Sequence, residues 1–325
     1  MTARLLPLLR RFGDVLALLA VLIAAAVFFR IQEPSFGKLS VQGQILSERA
    51  DLIVLAIAMT FVLLVGEIDL SVGSVLALSS VVFGEVLGAS DSASLATIAA
   101  LVTGTLCGAV NGWLTVALRI PSFVVTLGMM EIARGLAYWL SGFGRVDVGG
   151  RLAGFVRPWS WLENVPVLGT MRLAPAVFLA LALAIVGHVV LRRTVFGRHC
   201  QAIGGNARAF ELSGERVGWR KVAVFAVVGA AAGLAALLQT ARLDTTDPTG
   251  GVAMELTVIA AVVVGGTTLT GGRASVVGTL LGCLLIAVLQ SGLSQIGTGE
   301  AAKRISTGAV IVFAVLLDAW RRRTR

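Results

Sequence analysis

The chain has 325 residues, of which 57% are hydrophobic and only 14% charged, with a mean hydropathy of +0.90. Ordinary soluble domains carry about 25% charged residues, so the composition excludes such a domain and fits a polytopic helical membrane protein. The formal net charge of +9 is a topology signal, for the reasons below, and does not indicate nucleic-acid binding.

Ten apolar runs follow in chain order, at 15–29, 52–66, 72–87, 95–118, 123–140, 174–191, 222–240, 252–266, 276–293 and 305–319. The fold class expected is therefore all-α and polytopic, with about ten transmembrane helices. Several runs fall short of the roughly 20 residues a straight helix needs to cross about 30 Å of hydrocarbon. The short ones sit beside glycine clusters, which predicts broken helices around a protein-lined cavity. Segments alternating in polarity, as in a transmembrane barrel, are not seen. The first run follows Arg10 and Arg11 like a secretory signal, but it has no convincing small-residue cleavage site and nine runs follow, so a retained helix is expected.

With the N-terminus inside, ten crossings place most of the 27 basic residues in the cytoplasm. These are Arg4, Arg10, Arg11, Arg119, seven residues between 192 and 221, Arg273 and the arginines of the C-terminal tail. This excess predicts that both termini are cytoplasmic.

Several chemistries are not supported. Cys107, Cys200 and Cys283 are scattered and give no disulfide framework. His199 beside Cys200 has no third ligand nearby, so no metal site is expected. His188 and His199 are the only histidines, and no nucleophile–base pair is evident, so no catalytic residue is assigned. Gly37-Lys38 is the only Gly-Lys pair and lacks the upstream glycine of a phosphate-binding loop. LSGER at 212–216 has a passing likeness to the signature of transport ATPases, without a nucleotide-binding domain around it. Any ATP hydrolysis is expected on another chain.

Four strings carry more information: VGEIDLSVGS at 65–74, GAVNGWLTVALRIPSFVVTLGMMEIARG at 108–135, GRHCQAIGGNARAFELSGERV at 197–217 and ELTVIAAVVVGGTTLTGG at 255–272. In the first, Asp69 precedes an apolar helix and can cap it through the N–H groups of Ser71 or Val72. That role and a place in the wall of a translocation path are both open. In the second, Pro121 is a natural helix start because its missing N–H would lack an intrahelical partner there. Glu131 and Arg134 follow three apart on one face, as an ion pair or as a polar lining that meets solute hydroxyls. GGTTLTGG echoes GEIDLSVGS, with Gly66, Leu70, Ser71 and Gly73 matching Gly265, Leu269, Thr270 and Gly272, which is compatible with a duplication.

The basic interlude 192–221 is broken by Gly197, Gly204, Gly205 and Gly214. Asn206 and Ser213 can cap helices, and residues 207–212 fit a short helix ending at Leu212.

Together the four strings resemble the monosaccharide permeases of bacterial ABC importers, the ribose, xylose, arabinose, rhamnose and autoinducer-2 group, over residues 44–318 in the family's order and spacing. The resemblance implies one transmembrane permease domain over 1–325 that imports a monosaccharide, pentose or deoxyhexose-like, across the bacterial inner membrane. It implies a cytoplasmic ATPase that carries ATP and Mg, a periplasmic or extracytoplasmic sugar-binding protein, a second permease copy or paralogue, and membrane lipid around them. No cofactor is expected on this chain, and no nucleic acid. In that family the interlude at about 192–221 docks the ATPase, with Gly197, Gly204, Gly205, Asn206, Leu212, Ser213 and Gly214 as the matching residues. Asp69, Ser71, Asn111, Thr126, Glu131, Arg134 and Glu255 are the candidates for the translocation path. The chain departs from the family's pattern at Glu67, where a second glycine is usual, at Glu215, where an apolar residue is usual, and at Thr257, where an acid is usual. The threonine argues against a two-carboxylate proton relay. A permease for a non-sugar polar solute such as autoinducer-2 remains open, as does an ion-coupled secondary transporter, which would have no need of a docking loop.

Overall fold

The computed structural model describes residues 2–158 and 167–323. Among them all regular structure is helical, apart from one isolated antiparallel bridge between Asp147 and Thr245. The principal helices are α1 (Thr2–Gln32), α2 (Leu39–Glu48), α3 (Ala50–Leu64), α4 (Val72–Ser90), α5 (Ala93–Ala117), α6 (Ser122–Ser141), α7 (Pro175–Arg193), α8 (Val195–Leu212), α9 (Val217–Leu243), α10 (Met254–Val264), α11 (Val276–Gln295) and α12 (Glu300–Arg323).

Every predicted apolar run falls on a helix, and seven of these helices are long and apolar enough to cross a membrane: α1, α4, α5, α6, α7, α9 and α11. The other three runs lie in α3, α10 and α12. In α12 the charges of Arg304 and Asp318 bound too short an apolar stretch. α3 has 15 residues and α10 has 11; at about 1.5 Å per residue they reach roughly 22 and 16 Å. They are the broken helices that the glycine clusters predict.

α3 is buried along its whole length, as expected of a helix that is apolar on every side. It is packed by α7, α9, α10 and α11. Its Thr60 hydroxyl satisfies itself on the Ala56 carbonyl and meets Thr279 Oγ1 of α11 at 2.9 Å. The most extensive helix seam joins α5 to α9. A Cβ on Gly104 would lie 2.2 Å from the Gly229 carbonyl oxygen, and one on Gly108 would lie 2.1 Å from that of Phe225. Small residues let backbones approach where lipid offers no hydrophobic drive between helices.

α3 and α10 end in the same way. The N–H groups of Gly66 and Glu67 bond to Leu63 and Val62, and those of Gly266 and Thr267 bond to Val263 and Val262. Gly66 and Gly266 both take the left-handed conformation, at φ +78° and +88°, so each end is a Schellman cap in which only glycine avoids a Cβ clash. The geometry therefore pairs Gly66 with Gly266. The sequence echo, which matched Gly66 to Gly265, is one residue out of register at the cap, because Gly265 and Gly266 stand side by side and the echo aligned the first of them.

The connections collect at two ends of the bundle. At one end Ile68 N–H donates to Ser122 Oγ at 3.0 Å, Gly272 N–H donates to the Leu64 carbonyl at 2.9 Å, and Lys221 pairs with Glu67. At the other, Arg151 meets Asp91, Arg145 meets Asp247, Arg242 meets Asp51, and Ala174 N–H donates to Ser47 Oγ.

Candidate functional site: an exposed interlude joined to two helix breaks

The first candidate region is α8 and the turn that follows it. Thr194 starts α8, its hydroxyl accepting from Gly197 N–H at 3.2 Å. Gly197 is buried, since a Cβ there would lie 2.3 Å from the Val190 carbonyl oxygen. The helix breaks at Asn206, whose φ of −161° and ψ of 94° are extended. The Asn206 side chain then accepts from Ala209 N–H at 3.0 Å and caps the short helix that runs to Leu212, as predicted. Ser213 differs from expectation. Its hydroxyl turns back to the Phe210 carbonyl at 2.7 Å, and α9 starts after Arg216 with no side-chain cap. Gly214 makes the turn at φ +85°.

The predicted docking residues divide by direction. Gly197 and Gly204 face the bundle, whereas Gly205, Asn206, Leu212, Ser213 and Gly214 are exposed. Leu212 and Trp219 leave 75% and 73% of their surfaces in the open, an apolar exposure of the kind that marks interaction surfaces. Arg220 braces this knob from beneath. Its guanidinium donates to His199 Nδ1 at 2.9 Å, to the Arg216 carbonyl at 2.6 Å and to Glu215, and lies 5.3 Å from the centre of the Phe210 ring. Glu215, which departs from the family's apolar residue, thus has a charged partner inside the segment. His199 serves Arg220, while burial pushes the thiol of Cys200 up to about 12.

The second region is the break between α3 and α4. Asp69 Oδ1 accepts from Ser71 N–H at 2.8 Å and from Ser71 Oγ at 2.7 Å, and Asn111 Nδ2 donates to Ser71 Oγ at 2.9 Å. Thr126 Oγ1 donates to the Ile68 carbonyl at 3.3 Å. All four side chains are buried, with 0–1% exposure. The structure brings Asp69, Ser71, Asn111 and Thr126 together as one polar cluster that holds the non-helical 67–71 stretch, and gives them no free surface in the protomer.

The third region carries the correction. Glu131 and Arg134 do not pair among the described residues; Arg134 Nη1 donates to the carbonyls of Pro248 and Gly250 at 2.7 and 2.9 Å, and Glu131 is exposed. The loop before α10 offers two carbonyl oxygens within reach of one guanidinium nitrogen, whereas the Glu131 carboxylate lies in the open. Glu255 opens α10 on the other side of that loop, where its carboxylate closes on Gly73 of α4. Arg134 and Glu255 are both half-buried. Arg134→Gln is expected to cost about 2 kcal/mol, since hydrogen bonds to a charged group are lost, and Glu131→Gln is expected to leave the melting temperature in detergent unchanged. Equal shifts for the two variants would restore the Glu131–Arg134 pair.

Sequence reasoning missed Lys221, Arg220 and Phe210. Glu67 stood out only as a departure, and nothing local pointed to its partner in α9.

The buried apolar bundle, the two broken helices and the exposed interlude define a polytopic helical membrane protein. A family model described as the permease component of the branched-chain amino acid transport system matches residues 43–315. The chain is 34% identical to the ribose import permease protein RbsC of Escherichia coli K12 over 308 residues, covering 93% of this chain and 92% of that one. It is 38% identical to the ribose import permease protein of Bacillus subtilis over 265 residues, covering 81% and 80% of the two chains. With the L-arabinose ABC transporter permease protein of Azospirillum brasilense it shares 35% identity over 281 residues, covering 83% and 77%. No solved structure matches the chain. The chain belongs to this family of ABC importer permeases, and the resemblance carried by its four strings holds.

Proposed function

We propose that the chain is the membrane-spanning half of an ATP-driven importer that carries a monosaccharide across the bacterial inner membrane, with both termini in the cytoplasm and about ten membrane-embedded helices. The sugar is the substrate class named for the three relatives above, ribose for two and L-arabinose for the third. The single permease domain acts with a second permease copy or paralogue, two cytoplasmic ATPase domains that bind ATP and Mg, and an external sugar-binding protein. The observation that carries the docking assignment is the exposed knob at 205–216, with Leu212 in the open and Trp219 exposed just beyond it in α9, on a segment that is rich in basic residues.

In this reading ATP draws the ATPases together, the docked interludes move with them, and the cavity between helices changes sides. Arg134, half-buried against the loop before α10, and Glu255, half-buried at the start of α10, meet sugar hydroxyls in this reading, with Glu131 on the same helix as Arg134. Asp69, Ser71, Asn111 and Thr126 shape the wall from behind. Weak contacts suffice, because tight binding would slow release.

The test uses Gly205→Glu and Ser213→Glu, which alter exposed positions with room around them. Both variants should reach the membrane folded, lose co-purification with the ATPase and lose uptake. Undiminished capture of the ATPase together with normal uptake would remove the docking assignment.

A further inference from the structure

The exposed knob has two roots in the bundle, and both rest on the same object. At the first root, Gly204 packs so closely that a Cβ would lie 1.8 Å from the Leu64 carbonyl oxygen and 2.4 Å from Gly272 N. At the second, Lys221 pairs with Glu67. Leu64 and Glu67 are the last turn and the cap of α3, with Glu67 N–H bonded to the Val62 carbonyl. Gly272 belongs to the turn after α10, which in turn donates to Leu64. The outer segment is thus fastened, before and after its exposed part, to the point where the two broken helices meet.

We propose that the Glu67–Lys221 ion pair is the tie that transmits movement of the docked segment into the broken ends of α3 and α10. This rests on the reading that the interlude docks an ATPase. The Gly204 contact is one of shape and can slide, whereas an ion pair resists separation. The pair is also largely removed from solvent, its side chains being 20% and 13% exposed for Lys221 and Glu67, so water screens it weakly. Lys221 lies near the N-terminal end of α9, where the helix dipole disfavours a cation. Glu67, the only described partner of Lys221, offsets that. Arg220, one residue earlier, holds the knob in shape through His199, Glu215 and Phe210. Adjacent residues of α9 therefore divide the work: one braces the segment, the other attaches it to the core. Glu67 and Lys221 are positioning residues, since neither touches the sugar in this reading.

The experiment uses the full transporter reconstituted with its ATPase and binding protein, supplied with whichever of D-ribose, L-arabinose, D-xylose or D-galactose the wild type takes up. The ratio of sugar moved to ATP hydrolysed is measured beside co-purification of the ATPase. The neutral double variant Glu67→Gln with Lys221→Met avoids leaving a lone desolvated charge and should fold. Its sugar-to-ATP ratio should fall about tenfold, within the usual range of coupling between sites, while the ATPase still co-purifies. The charge swap Glu67→Lys with Lys221→Glu should recover most of that ratio. A purely structural pair would change the yield of complex but not the ratio. An unchanged ratio in the neutral double, or a swap no better than it, overturns the tie. Failure of the ATPase to bind even the wild-type permease overturns the docking reading instead, and the tie with it.

Discussion

Gly204→Leu should abolish uptake and destabilise the folded permease by at least about 3 kcal/mol, at the severe end of overpacking effects. A Cβ at this position collides with backbone on two sides, the Leu64 carbonyl and Gly272 N. Neither can step aside without opening the Gly272 N–H bond to Leu64 that joins the two breaks. Better helix propensity offers only about 1 kcal/mol in return, so the clash wins. The neighbouring glycine is the control. Nothing lies within 4 Å of a Cβ on Gly205, so Gly205→Ala should keep the wild-type melting temperature. Thermal unfolding in detergent, with uptake in cells, separates the two. Equal tolerance of both substitutions would mean that α8 does not seat on the end of α3.

The second large effect is expected at Asp69. Asp69→Ala removes the acceptor of two hydrogen bonds from Ser71 in a site with 1% exposure. The stranded groups should cost about 2–4 kcal/mol, and the non-helical stretch between α3 and α4 should lose its shape, taking transport with it. Asp69→Asn retains a carbonyl oxygen in the place of Oδ1 and should keep most of the stability. The comparison is read by thermal melting and uptake. If asparagine proves as damaging as alanine, the negative charge matters and not the hydrogen-bond acceptor, and Asp69 would move from the scaffold to the transport chemistry.

Some of this was legible because its causes are local. The cap at Asn206 follows from a polar side chain beside a short helical stretch, and the Asp69 bond to Ser71 N–H from the acid's position just before an apolar helix. The glycine clusters beside short apolar runs pointed to broken helices, and α3 and α10 are broken there. Register was less secure: the doublet Gly265-Gly266 offers two glycines, the echo took the first, and the left-handed conformation of Gly266 puts the cap on the second.

The charges show the limit. Glu131 and Arg134 are correctly spaced for a pair on one helix, yet Arg134 finds the carbonyls of Pro248 and Gly250. Lys221 looked like one basic residue among many and pairs with Glu67 across 154 positions of sequence. By itself the amino-acid sequence determined the membrane class, the positions of the apolar segments, the breaks and the family, since hydropathy, glycine placement and motif spacing are written along the chain. Only the tertiary structure decided which glycines face a backbone, which buried polar groups satisfy one another and which charges meet. Those outcomes depend on how helices distant in sequence lie side by side, and a desolvated charge takes the best partner that packing brings within reach.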